Sequence, residues 1–262
     1  MNNLSLYDKL VIFLRVFFLQ AVFNYEKFQN VGFLFMILPF LKKISNKNLA
    51  ELRSILLRHI DIFNTNPYMC GFIVGNVLKM EVCKDDEKKI TNIKQALACA
   101  FASIGDRIFW ARMRLIVSFL TAFIFIVFYF YLEIRGFEVL VVSVIVPTIF
   151  YVAYSVYIRY VGIEYGWRCG GERTCGLDVF NWNKLIRFLS TMGFIIISVL
   201  IVLVLFMYGY LCLHMGGKKQ IVIGILIPFT AFFLQRYFRR NKKSIFYPVI
   251  SFILLSFVLA CL

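Results

Sequence analysis

Beyond Arg114 the chain consists of long, almost uncharged apolar blocks, and this feature most restricts what it can fold into. Leu115–Leu132 and Val139–Ile158 have membrane-spanning length, since about 20 residues cross the hydrocarbon core. Leu185–Leu213 is longer, carries Arg187 near its start, and spans with tilt or overhang. Ile221–Leu234 is short and broken by Pro228, which makes it a strained or partial span, and Ile245–Leu262 is the last. Inside a bilayer every backbone N–H and C=O needs an internal partner, so such blocks are expected to be helical. The expectation is an all-α, polytopic integral membrane protein. It divides into a polar-interrupted region, residues 1–114, and a bundle of about five transmembrane helices, residues 115–262. Composition agrees: 61% of the residues are hydrophobic and 16% charged, against about 45–50% and 25% in soluble domains.

Charge orients the blocks. The chain carries 29 Lys and Arg against 14 Asp and Glu, a formal net charge of +15. In a soluble protein that excess would raise nucleic acid as a partner. Here the basic residues lie mainly between apolar blocks, as the positive-inside bias requires, so nucleic acid is set aside. Placing Arg107, Arg112, Arg114, Arg159 and the Arg236–Lys243 cluster in the cytoplasm gives an alternation that leaves the C-terminus outside. Lys218 and Lys219 run against it. The apolar run Leu10–Phe23 lacks a small-x-small cleavage site and is read as retained.

The seven cysteines are scattered, and Cys169 and Cys175 have no nearby His to complete a zinc set, so separate thiols and no metal are expected. No Gly-x-x-x-x-Gly-Lys phosphate loop occurs, and no cofactor is expected. Any uphill transport must draw its energy from a partner.

Residues 1–114 resist a simple count of spans. Leu10–Leu41 is long enough to cross but holds Arg15, Gln20, Asn24, Glu26, Lys27, Gln29 and Asn30. Charged groups at membrane depth cost roughly 2.5–3.5 kcal/mol each unless they face protein or water. Interfacial or re-entrant helices are therefore expected in this region. Lys42–Asp61 and Lys79–Lys94 read as extramembrane helices, and Ile62–Leu78 carries the weak packing motif Gly71-x-x-x-Gly75.

Gripping a sugar takes amides and carboxylates for its hydroxyls and an aromatic face for its ring. Three clusters offer these groups. Gln20 and Asn24 share a helical spacing, as do Glu26 and Asn30. Asn64, Thr65 and Asn66 precede Pro67 and read equally well as a turn or helix cap. Asp106 sits among Ile104, Ile108, Phe109 and Trp110, with an ion pair to Arg107 or Arg114 as the alternative. Of the two histidines, neither His59 nor His214 has the surroundings of a phosphocarrier.

Three runs carry a family resemblance. Phe18-Leu-Gln-Ala-Val-Phe-Asn-Tyr-Glu-Lys-Phe-Gln-Asn-Val-Gly-Phe-Leu-Phe-Met-Ile-Leu-Pro39 is the first, and Arg58-His-Ile-Asp-Ile-Phe-Asn-Thr-Asn-Pro67 the second. The third is Ile104-Gly-Asp-Arg-Ile-Phe-Trp110, with Arg114 beyond it. In this order they resemble the signatures of IID membrane subunits of the mannose/fructose/sorbose family of the phosphoenolpyruvate-dependent sugar phosphotransferase system.

The resemblance implies a bacterial inner-membrane subunit with no catalytic residues of its own. It would pair with a IIC-type membrane subunit, in a trimer of IIC–IID pairs, to pass a hexose or amino sugar that a cytoplasmic IIAB phosphocarrier phosphorylates. It makes Gln20, Asn24, Glu26, Asn64, Asn66, Asp106 and Trp110 candidates for sugar or subunit contact, and His59 structural. IID subunits also serve as receptors for some bacteriocins, so a diverged scaffold or receptor without translocation is the alternative. Where the family carries glycine or proline, this chain has Ala96, Cys99, Ala100, Ser103, Ala111 and Leu115, and Phe72 replaces a proline. Such replacements favour continuous helix.

Overall fold

The computed structural model describes residues 4–46, 48–134, 136–172, 175, 177 and 180–215, and further on only 233, 236, 237 and 240. Among these the protein is helical, with isolated backbone bridges in place of strands. Two compact units are defined, Met1–Ile196 and Ile197–Leu262. In the second, helix α8 (Trp182–Met215), which begins in the first, is the main described element. The expected spans Ile221–Leu234 and Ile245–Leu262 lie outside the described residues, Phe233 apart.

The first unit opens with α1 (Leu6–Val16), capped by the Ser5 hydroxyl accepting the Asp8 N–H at 3.1 Å. Residues 17–29 are turns and bridges, and α2 (Asn30–Ile44) follows. The helical spacing expected for Gln20 and Asn24, and for Glu26 and Asn30, is therefore absent, because local amide bonds hold this stretch in turns. Asn24 accepts the Lys27 N–H at 2.7 Å, the side-chain capture by which Asn competes with helix. Next comes α3 (Leu49–His59), where the Asn48 side chain accepts from Ala50 and Glu51.

Helix α4 (Cys70–Cys83) is the axis of the unit. It is buried from Cys70 through Leu78, on every side. A short, predominantly apolar helix belongs inside protein, and here the surrounding helices encase it. Its principal neighbour is α7 (Phe137–Arg168), and the closeness rests on glycine. A Cβ at Gly71 would fall 2.5 Å from the Arg159 carbonyl oxygen, and one at Gly75 would meet the Ile163 carbonyl. From the opposite side, a Cβ at Gly166 would meet the carbonyl of Phe72. Gly71-x-x-x-Gly75 thus faces Gly162-x-x-x-Gly166, and small residues on both helices let the backbones touch. Phe72 is buried there and stacks on Phe101 with ring centroids 4.8 Å apart.

Helix α5 (Glu87–Gly105), capped by Asp86, continues without a break. It passes through a π-helical stretch, Asp106–Met113, into α6 (Arg114–Ile126) and a second π-helical turn, Val127–Tyr131. Lys94–Trp110 thus lies within one continuous helical run, in keeping with the alanines that replace glycine. Among the described residues three helices are long and apolar enough to cross a membrane: Glu87–Tyr131, Phe137–Arg168 and Trp182–Tyr210. They contain the expected span Val139–Ile158 and most of those that start at Leu115 and Leu185.

Candidate functional site

The loops before α2 and α4 cross and pair. The Gln29 N–H donates to the Phe63 carbonyl at 2.8 Å, and the Phe63 N–H to that of Lys27 at 3.3 Å. Phe28, between them, adopts φ 60°, a left-handed conformation that bulky residues hold only when their surroundings enforce it. The buried Gln29 Oε1 accepts the Thr65 N–H at 3.0 Å, while the Thr65 hydroxyl donates to the Ala98 carbonyl on α5 at 3.1 Å. Asn30 is also buried, and its Nδ2 donates to the Ile60 carbonyl at 2.8 Å while its Oδ1 accepts from Asn24 at 2.9 Å.

One step further along, Asn66 joins the second run to the third. Its Nδ2 donates to Asp106 Oδ1 at 2.9 Å, and its Oδ1 accepts the Tyr68 N–H at 3.0 Å. Gly105 makes the approach possible, since a Cβ there would overlap the Asn66 side chain. The ion pair considered for Asp106 is not formed. Arg114 instead lies over the Trp110 ring, 4.7 Å from its centroid. Asp106 sits at the start of the π-helical stretch, a geometry found often at functional sites.

A groove of about 370 Å³ opens beside this seam, lined by Tyr68, Trp110, Arg114, Ser118, Thr148 and Tyr151. The Tyr151 and Tyr68 hydroxyls are hydrogen-bonded at 2.9 Å, and Tyr68 stacks on Phe109 at 4.3 Å. Arg159, buried on α7, places its guanidinium 4.3 Å from the Tyr68 ring centroid and 4.8 Å from that of Phe17. The groove offers the partly exposed Trp110 with Arg114 stacked on its ring, together with hydroxyls, groups of the kind that hold a polyol ring.

Of the sequence candidates, the structure joins Asn66 to Asp106 and places Trp110 in the adjoining groove, while Asn24 belongs to a separate pair with Asn30 that ends on the Ile60 carbonyl. Gln20, Glu26 and Asn64 are exposed and stand outside these contacts. Tyr68 and Tyr151 were not singled out beforehand, Gln29 was named only as a polar interruption, and Arg159, taken as a flank between spans, is instead buried within α7 because the helix runs on to Arg168. The one available signal was the position of Gln29 inside the first run and of Tyr68 directly after the second.

His59 lies in a separate buried cluster. Its Nε2 is 2.9 Å from Glu81 Oε1, Arg58 Nε is 3.7 Å from the same oxygen, and the buried Lys94 donates to the Arg58 carbonyl at 3.3 Å. Burial holds the imidazole pKa below its ordinary value of 6.5, against the pull of Glu81. Because the carboxylate oxygen accepts, Nε2 carries the proton, and Nδ1 is left buried with no partner. This is a structural histidine, closed to a phosphoryl donor.

The chain is similar to known membrane proteins. It is 26% identical to the mannose-specific EIID component of Escherichia coli K12 over 198 residues, which is 72% of this chain and 65% of that one. Against the fructose permease IID component of Bacillus subtilis it is 28% identical over 198 residues, 72% of this chain and 66% of the relative. The chain therefore spans about two thirds of the length of these relatives. A solved structure of the mannose transporter ManYZ with microcin E492 has the same fold, with TM-score 0.56, 22% identity and coverage of 99% of this chain and 97% of that one. A second solved membrane protein matches with TM-score 0.69 and 21% identity, over 99% of this chain and 98% of its own. The family model for the phosphotransferase system mannose/fructose/sorbose family IID component matches residues 3–262, and this chain belongs to that family of membrane proteins.

Proposed function

We propose that the chain is the IID half of a sugar-translocating unit. It works beside a IIC-type membrane subunit, in a trimer of IIC–IID pairs, and passes a hexose or amino sugar across the bacterial inner membrane to a cytoplasmic IIAB phosphocarrier. The observation that carries this reading is the convergence of the three runs. Three hydrogen-bonded pairs, Asn24–Asn30, Gln29–Thr65 and Asn66–Asp106, lie along the crossing loops, and the last adjoins a groove of aromatic, hydroxyl and cationic side chains. The chain supplies a shaped polar path while the phosphoryl chemistry belongs to its partners. In this arrangement the chain's C-terminus lies outside.

Sugar uptake by cells lacking the chain tests the reading, with complementation by the native protein and by Asp106→Asn. Deletion is expected to abolish uptake. Asp106→Asn is expected to abolish it as well while co-purification with the IIC partner survives. Uptake that persists without the chain would overturn the reading. A second reading, a scaffold or bacteriocin receptor that no longer translocates, is favoured by the unbroken helix Glu87–Tyr131 and by the microcin-bound state of ManYZ. It predicts that the chain confers bacteriocin sensitivity on cells whose sugar uptake does not depend on it.

A further inference from the structure

Helices α2 and α3 together line an open groove of about 620 Å³. Its walls are Val31, Phe35 and Leu38 from α2 and Leu49, Arg53 and Leu57 from α3, so that Arg53 is the one charged side chain in an otherwise apolar lining. Several of these apolar residues are markedly exposed, Leu49 at 78% and Leu57 at 58%. Apolar surface of this extent implies a partner.

Charge selects which partner. Of the nearby carboxylates, Asp8 is engaged by Lys43 at 2.8 Å, and Glu51 faces Lys84 at 3.8 Å. Among the described residues neither Lys42 nor Arg53 has a carboxylate within ion-pair distance, and both are exposed. Arg15 adds a third cation, its guanidinium lying 4.3 Å from the ring centroid of Phe35. An apolar trough rimmed by cations fits a ligand with a long hydrocarbon tail and an anionic head. An amphipathic helix with basic residues beside its apolar face behaves in the same way at a membrane surface. The geometry points to an anionic phospholipid of the surrounding bilayer as the occupant. One acyl chain lies along the α2–α3 groove, and its phosphate sits at Arg53, with Lys42 in reach.

The test uses the full chain, with the subunits that co-purify with it, carrying Leu57→Trp. It is reconstituted into phosphatidylcholine vesicles containing equal fractions of either brominated phosphatidylglycerol or brominated phosphatidylcholine. Quenching of the added tryptophan, taken over the protein without Leu57→Trp, reports occupancy of the groove. Brominated phosphatidylglycerol is expected to reach half-quenching at a membrane fraction lower by about fivefold for each cation in reach. Arg53→Glu, an exposed change that leaves the core intact, is expected to remove most of that preference. Equal quenching by the two lipids would overturn the proposal, because the groove would then meet bulk acyl chains without selecting a head group. Quenching by neither would overturn it too, showing that a protein surface covers the groove. A preference that survives both Arg53→Glu and Lys42→Glu would remove the assigned phosphate site.

Discussion

Asn66 donates its side-chain N–H to the Asp106 carboxylate across 40 positions of sequence, at 2.9 Å. The same Asn66 holds the Tyr68 N–H with its oxygen, so a single buried amide joins the loop that starts α4 to the start of the π-helical stretch. The two partners differ in exposure: Asn66 is 2% exposed, whereas Asp106 is open to its surroundings.

That asymmetry sets a prediction. Asn66→Ala removes two hydrogen bonds from a buried position, and Asp106→Ala removes one from an exposed position. Net values of about 1 kcal/mol per bond place the first at about 2 kcal/mol or more and the second near 1. A double-mutant cycle read by denaturation in detergent should return a coupling of about 1 kcal/mol. Strict additivity would show that the bond carries no stability.

The crossing of α4 and α7 gives a second. Gly75→Ala forces a methyl group onto the Ile163 carbonyl, and Gly166→Ala does the same at Phe72. Overpacking of this kind costs about 1–3 kcal/mol. Gly193→Ala meets only the Ile116 side chain at 3.5 Å, an ordinary contact, and should be neutral. Thermal midpoints that fall equally in all three variants would refute the close-packing account.

Phe72 offers a third. Its ring is fully buried against Phe101, with Trp182 edge-on at 5.9 Å. Phe72→Ala should cost about 3–5 kcal/mol through lost burial and the cavity left behind. Phe72→Leu should recover most of that, and a small loss in Phe72→Ala would mean that the site collapses readily.

The pH dependence follows from His59. Burial depresses its folded pKa below 6.5, so the unfolded chain takes up the proton first as pH falls. The stability present above about pH 6.5 is then lost on acidification, by no more than about 1.4 kcal/mol per pH unit for one proton. His59→Gln, compared with the native protein above and below pH 6.5, should flatten that loss. An identical pH slope in the variant would remove His59 as the cause.

How much of this was legible beforehand depended on the kind of interaction. Hydropathy located the described spans from Leu115, Val139 and Leu185, because lipid demands about 20 consecutive apolar residues whatever the rest of the chain does. The missing glycines announced the unbroken path through Trp110 for an equally local reason, since helix propensity is a property of each residue. The turn at Asn24 was not legible. Its amide hydrogen-bonds the Lys27 backbone in competition with helix, and the turn is also held by the crossing loop at Phe63.

The sequence by itself therefore determined membrane residence, helical class and family, because these rest on local chemistry and on runs of contiguous residues. Tertiary structure alone decided that Asp106 answers Asn66 instead of an arginine. It also paired Gly71 and Gly75 with Gly162 and Gly166, and enclosed His59 and Lys94 while leaving Gln20, Glu26 and Asn64 outside. The physical reason is that a hydrogen bond or a van der Waals contact requires atoms within a few ångströms. Only the folding of distant segments onto α4 creates that proximity.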